Sequence, residues 1–283
     1  MQDFRDKVAV ITGAASGIGR ALARRCVEEG TKVVLADIEE PALTQTAQAF
    51  QEQGGIVVSV HTDVSKATDI EALAQRTLDE FGAVHLLFNN AGVTGYGAGG
   101  AVWQSRVEDW EWVLGVNLWG VVHSLRTFVP IMLAQDVDCH IVNTASIGGL
   151  ISNEPSASYQ ASKHAVVALS ENLYHALARQ EAKLKTSVLC PGWVRTKALD
   201  GERNRPPELQ VERKMSPHSA ALMQDLQDRL ESGMSPQKVA DRVFEAIRSG
   251  QFYILTHPEL TYLIEQRLDD IINERNPTLT DIL

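Results

Sequence analysis

Cysteine is scarce in this chain: Cys26, Cys139 and Cys190 are the only three among 283 residues. They are odd in number and far apart, so they form no disulfide framework. There is no Cys-x-x-Cys and no Cys/His cluster, so no metal site is expected. Isolated cysteines of this kind behave as small buried hydrophobes in a reducing compartment, which predicts a cytoplasmic protein. Long apolar runs are missing too. The longest stretches, such as Val84 to Phe88, suit buried strands and fall far short of the ~20 residues that cross a bilayer. The opening Met-Gln-Asp-Phe-Arg-Asp-Lys lacks a basic stretch followed by an apolar one, so neither a secretory leader nor a membrane partner is expected. Basic charge is in deficit: 26 Lys and Arg stand against 36 Asp and Glu, for a net charge of −10. Such a surface repels phosphate backbones and argues against a nucleic-acid partner. Internal repeats, low-complexity tracts and linkers are also lacking. The length therefore reads as one large α/β domain over residues 1–283, with a core big enough to need no cross-link.

What the chain does have is a regular alternation of apolar runs and amphipathic stretches. Val8-Ala9-Val10-Ile11 is a short apolar run ended by glycines, as in a parallel strand buried on both faces. Helical periodicity follows from Ile18 to about Glu29, where Gly30 stops it. Further strands are expected at 32–36, 56–60, 84–88, 140–144, 186–189 and 252–255. The intervening helices are expected at 41–53, 65–81 with Ser65 as its cap, 106–134 with a distortion at Pro130, 156–179 and 236–249. Repeated strand–helix units imply a doubly wound parallel sheet of the Rossmann type, with its ligand crevice at the carboxyl ends of the strands. The segment 193–235, rich in charge and proline, reads as an excursion that covers the site. An amphipathic helical extension follows over 258–283.

Thr12 to Gly19 (Thr-Gly-Ala-Ala-Ser-Gly-Ile-Gly) joins the first strand to the first helix. A glycine-rich turn there exposes helix N–H groups to a pyrophosphate. Gly13 makes the turn, Gly17 admits the phosphates and Gly19 lets the helix pack closely; Ser16 and Ile18 lie beside them. Asp37 ends the second strand at the place where an acid accepts both ribose hydroxyls and repels a 2′-phosphate. Its neighbours Ile38, Glu39 and Glu40 are not basic. The expected cofactor is therefore NAD, with NADP disfavoured. Asp63 and Val64 follow the third strand, placed to meet an adenine ring. Asn89, Asn90, Ala91 and Gly92 follow the fourth, where the asparagines either line the cofactor channel or tie strand ends together.

Tyr159 and Lys163 are four apart on a helix and so share one face. A phenol is a poor base at neutral pH. A nearby ammonium stabilises the phenolate and suits Tyr159 to exchange a proton with an alcohol. Ser146, 13 positions before Tyr159, can hold the substrate oxygen. Asn117 is an unusual choice inside a helix; it either positions a water in a proton relay or makes a plain polar helix contact.

Together these motifs resemble the short-chain dehydrogenase/reductase family over about residues 5 to 255. The match comprises Thr12–Gly19, Asp63, Asn89–Gly92, the catalytic set Asn117, Ser146, Tyr159 and Lys163, and Pro191-Gly192 followed by Thr196. The resemblance implies a seven-stranded sheet ordered 3-2-1-4-5-6-7 and a homotetramer or homodimer built on the two long helices. It further implies that Lys163 bonds the nicotinamide ribose and that Pro191, Gly192, Val194 and Thr196 hold the carboxamide. The reaction it implies is hydride transfer between NAD(H) and a small-molecule secondary alcohol or ketone. A non-catalytic nucleotide sensor on the same fold would be expected to lack part of this set, and a methyltransferase would have no use for Tyr159 and Lys163. Candidate substrate contacts are Ser146, Ile147, Tyr96, Asn153 and Trp193, with Thr94 and Glu154 nearby; Trp193 could equally be ordinary packing. Arg203, Arg205, Arg213 and Lys214 read as the solvated face of the covering segment. The stretch Phe252 to Glu259 resembles a subgroup with an added terminal helix, some of whose members look like dehydrogenases of bulky aromatic secondary alcohols.

Overall fold

The structure, a computed structural model, describes residues 1–95, 102–152, 156–212 and 217–279. Seven strands form one sheet: β1 (Val8–Thr12), β2 (Lys32–Asp37), β3 (Val57–His61), β4 (Leu86–Asn89), β5 (Cys139–Thr144), β6 (Leu184–Cys190) and β7 (Tyr253–Leu255). Their order is β3-β2-β1-β4-β5-β6-β7 and every pairing is parallel, as the sequence reading and the resemblance together implied. The helices are α1 (Gly17–Glu28), α2 (Glu40–Glu52), α3 (Ala67–Phe81), α4 (Val107–Leu114), α5 (Gly120–Ala134), α6 (Ala157–Arg179), α7 (Pro217–Ser232), α8 (Pro236–Ser249) and α9 (Thr261–Ile272).

The apolar runs become strands because helices cover both faces of the sheet. All five residues of β1 are buried. The pleat sends Ala9 and Ile11 to one face, where they meet Leu22, Phe50 and Phe244 of α1, α2 and α8. Val10 points to the other face, toward Ile70 and Leu73 of α3, Phe128 of α5 and Val166 of α6. Burial of each such large side chain contributes about 1.5–3 kcal/mol, so the two cores hold the sheet as a rigid floor. The strand order reverses between β1 and β4, and the crevice opens at the carboxyl ends on either side of that point.

Two local expectations are corrected. Ser65 does not cap α3: its hydroxyl donates to the Asp63 carboxylate at 2.7 Å, and Lys66 occupies the cap position. The helix expected over 106–134 is interrupted at Asn117, not at Pro130. Gly115–Trp119 forms a π turn between α4 and α5, while Pro130 lies within α5 without ending it. One extra residue in the turn directs Asn117 inward, where its polar side chain finds partners. The run Val107–Ala134 has the length and hydropathy of a membrane-crossing helix. Here Val121, Leu125, Phe128 and Met132 are buried in the core beneath the sheet.

Candidate active site

A cavity of about 320 Å³ lies along the carboxyl edge of the sheet, and most of the sequence-derived residues line it. Its nucleotide-side wall is the loop from β1 to α1. Gly13 has φ +65°, and a side chain at Gly19 would lie 2.1 Å from the Gly13 carbonyl oxygen. The helix therefore sits directly on the turn, which only glycine allows. Ser16 is the cap residue of α1, yet its side chain makes no capping bond. The first turn thus presents Ser16, Gly17 and Ile18 to the cavity.

Asp37, at the end of β2, accepts from the Ala15 N–H at 2.9 Å and the Glu39 N–H at 3.0 Å. These bonds fix the carboxylate at the cavity rim. Asp63 accepts from the Ser65 backbone and hydroxyl and pairs with Lys66 at 3.3 Å, while it and the buried Val64 line the cavity. The two asparagines divide the roles left open above. Asn89 donates to Asn143 at 2.8 Å and ties β4 to β5. Asn90 donates to the carbonyls of Thr12 and Gly13 and also lines the cavity, beside Ala91 and Gly92.

The other wall is built on α6. The Ser156 hydroxyl caps that helix by accepting from the Tyr159 N–H, which sets the register that turns Tyr159 and Lys163 to one side. Both line the cavity with Ser146, and the Lys163 Nζ lies 5.6 Å from the centre of the Tyr159 ring. Lys163 is buried, and its ammonium donates to the Thr144 carbonyl at 3.0 Å. Burial lowers its pKa to about 8. Ser146 accepts from the Gly148 N–H at 3.1 Å and reaches the Pro191 carbonyl only at 3.5 Å. Asn117 lies behind this group. Its Oδ1 accepts from the Val93 N–H at 2.8 Å, and its Nδ2 donates to the Val93 carbonyl and the Ser162 hydroxyl. It thereby pins the loop after β4 to α6. A side chain at Gly92 would lie 3.3 Å from the Asn117 Oδ1 and 3.4 Å from the Lys163 Nζ.

Pro191, Gly192, Trp193, Val194 and Thr196 line the same cavity after β6. The turn is backed from β7: the Gly192 N–H is shared between the Thr256 hydroxyl at 3.1 Å and the His257 Nδ1 at 3.2 Å. A side chain at Gly192 would collide with the His257 ring at 2.7 Å. Trp193 lies under the Arg229 guanidinium of α7. Ile147 packs with Ile151 and Leu263, so the terminal helix α9 supports the substrate side. Tyr96, Asn153 and Glu154 lie outside the described residues, as do Arg213 and Lys214. Thr94 lines the cavity and donates to the Ala198 carbonyl.

The covering segment differs from its expected solvated character. Arg205 is buried and pairs with the buried Asp109 of α4 at 2.6 Å. Its guanidinium also stacks over Trp112 at 4.8 Å, and its Nε donates to the Leu209 carbonyl. Arg203 pairs with Glu39 at 2.5 Å, where Asn204 also donates at 2.8 Å. Charge density on a loop reads as solvent exposure when the partners are unknown, and these partners lie 96 and 164 residues away in the chain.

The sequence pattern described as short chain dehydrogenase matches residues 7–206, a span that holds the glycine loop, Asp37, Asn117, Ser146, Tyr159, Lys163 and the Pro191–Thr196 turn. The chain belongs to the short-chain dehydrogenase family. As a member it is an oxidoreductase of alcohol and ketone groups. A short-chain dehydrogenase/reductase from Burkholderia phymatum, solved in complex with NAD, is 48% identical, with a TM-score of 0.96 and full coverage of both chains. A CLA biosynthesis dehydrogenase/reductase of Lactiplantibacillus plantarum is 36% identical over 98% of this chain and 97% of its own. A C alpha-dehydrogenase of Sphingobium sp. (strain NBRC 103272 / SYK-6) is 31% identical over 99% of this chain and 90% of its own. The likeness thus extends past residue 206 through the covering segment and α9.

Proposed function

We propose that this short-chain dehydrogenase moves a hydride between NAD(H) and the carbinol carbon of a secondary alcohol, with Tyr159 as the acid–base. The observation that carries the reading is one cavity lined at one end by Gly13, Gly17 and Asp37 and at the other by Ser146, Tyr159 and Lys163. The residues fit a dinucleotide. The α1 N-terminus presents its first turn to an anionic pyrophosphate, and Asp37 is fixed where ribose hydroxyls can donate to it. NAD supplies the hydride acceptor and NADH the donor.

For oxidation, the Ser146 hydroxyl orients the alcohol oxygen; its 3.5 Å approach to Pro191 is loose enough to yield to a substrate. Tyr159 takes the alcohol proton as the hydride leaves the same carbon. Lys163 holds a positive charge next to the phenolate and favours the deprotonated ring. Reduction runs the same groups in reverse, with Tyr159 donating the proton to the ketone oxygen. Asn117 keeps the Val93 loop and α6 in register and so preserves the distance between the two walls. The Pro191–Gly192 turn, Val194 and Thr196 are the residues that would hold the nicotinamide carboxamide.

The substrate end is mostly apolar, with Val93, Trp112, Trp193, Leu199 and Leu209 among its lining. That lining supports a bulky, aromatic or cyclic secondary alcohol. The same proposal includes a homotetramer or homodimer, which light scattering of the purified chain tests, and a cytoplasmic location, which three buried thiols outside any disulfide support. The chemistry is tested by Tyr159→Phe with a panel of alcohols and ketones. Turnover is expected to fall by about 10²–10⁴-fold while NADH still binds. Near-normal turnover in the variant would remove Tyr159 from the mechanism.

A further inference from the structure

At the rim where Asp37 ends β2, a second carboxylate is held in an unusual way. Glu39 lines the cavity together with Asp37, Lys197, Arg203 and Asn204. Its backbone N–H donates to Asp37, and its Oε1 accepts from the Arg203 guanidinium at 2.5 Å and from Asn204 at 2.8 Å. Burial alone would raise the Glu39 carboxyl. The bonds from Arg203 and Asn204, with the charges of Arg203 and Lys197, bring it below the ordinary value instead. Arg203 itself is anchored by a second bond to the Asp200 carbonyl at 2.7 Å.

We propose that Glu39 is a second determinant of NAD over NADP, acting by occupying Arg203. This rests on the dinucleotide reading above, in which Asp37 holds the adenosine ribose. A 2′-phosphate on that ribose would lie at this rim. An unoccupied guanidinium there would be a ready phosphate ligand, because its donor fork matches phosphate oxygens. Glu39 takes one arm of that fork, Nη2, while the Asp200 carbonyl holds the other, and Glu39 adds a negative charge beside Asp37. Arg203 thus ties the covering segment to the cap of α2.

The test uses the full-length protein and its Glu39→Ala, Glu39→Gln, Arg203→Ala, Glu39→Ala/Arg203→Ala and Asp37→Ala variants. Calorimetry compares 2′,5′-ADP with ADP, and kcat/KM is measured for NADP and NAD with one alcohol. Glu39→Ala is expected to shift both ratios toward the 2′-phosphate by about tenfold, the scale of one charge-assisted bond. Glu39→Gln, which keeps the side chain's shape, should give part of that shift. The double variant should lose the gain. If Glu39→Ala leaves both ratios unchanged while Asp37→Ala moves them, the proposal is overturned and the dinucleotide reading stands. If the gain survives in the double variant, Arg203 is not the route and the proposal is likewise overturned. Failure of the wild-type protein to bind ADP, NAD or NADP overturns the dinucleotide reading itself.

Discussion

Replacement of Asp109 by Asn removes one charge from a pair whose side chains are only 1% and 3% exposed. Breaking a buried pair from one side costs about 3–5 kcal/mol, because the remaining ion is left without its counter-charge. Arg205 is not left bare. It keeps both oxygens of Glu202 at 3.2 Å, the Leu209 carbonyl at 2.6 Å and the face of Trp112. These contacts offset part of the loss and leave about 2–3 kcal/mol. The cheapest escape for the stranded guanidinium is release of the covering segment, which costs less than unfolding of the sheet. Opening of residues 198–209 should therefore become about 30- to 150-fold more frequent, while the global melting point moves little. Hydrogen exchange reads this directly at the Arg205 and Leu209 amides, which bond to Glu202 and Pro206 within the segment. KM for the alcohol should rise alongside, since Pro206 and Leu209 line the cavity. An apolar replacement of both partners, Asp109→Leu with Arg205→Met, should protect the segment better than Asp109→Asn alone. Unchanged exchange in the single variant, or faster exchange in the double one, would refute the reasoning.

Lys163 gives a pH signature. Its folded pKa lies at about 8, against 10.5 for the free side chain. Below about 8 both states carry the proton and the native fold bears the full cost of the buried charge. Between these values the unfolded chain binds a proton that the native protein has released, so stability from this site rises with pH. The Tm difference between the cofactor-free wild type and Lys163→Met should move in favour of wild type from pH 8 to 10; movement the other way refutes the assignment. The three thiols offer an independent check on the core. Burial raises all of them, Cys139 to about 11 and Cys190 to about 12. A thiol reagent at pH 8 should label the native protein only slowly but all three cysteines in denaturant; rapid native labelling would contradict the packing.

Much of the architecture was legible because the β1 pattern, Val8 to Ile11, carries its burial in its own letters, and the glycine loop sits at the junction that needs it. Tyr159 and Lys163 were legible for the same local reason, since a helix brings residues four apart to one side. Arg205 was misread because only its partner, 96 residues earlier, distinguishes a buried cation from a solvated one. His257 lay within the Phe252–Glu259 stretch, but its role was not legible there: it depends on β7 lying beside β6, a fact of topology that no window around residue 257 contains. Asn117 stood between the two cases. Its oddness within a helix was visible, but the π turn that accommodates it depends on Val93 and Ser162.

The backing of the Pro191–Gly192 turn by Thr256 and His257 also orders events during synthesis. The glycine loop, Asp37 and the strand ends that bound the adenosine end have all been made once β4 has emerged, although the face of β1 beneath them packs on Phe244 of the later α8. The nicotinamide end acquires its support only when the chain beyond β7 is made. A nascent chain of this sequence thus carries the residues of the nucleotide end well before it carries those that back the hydride-transfer end.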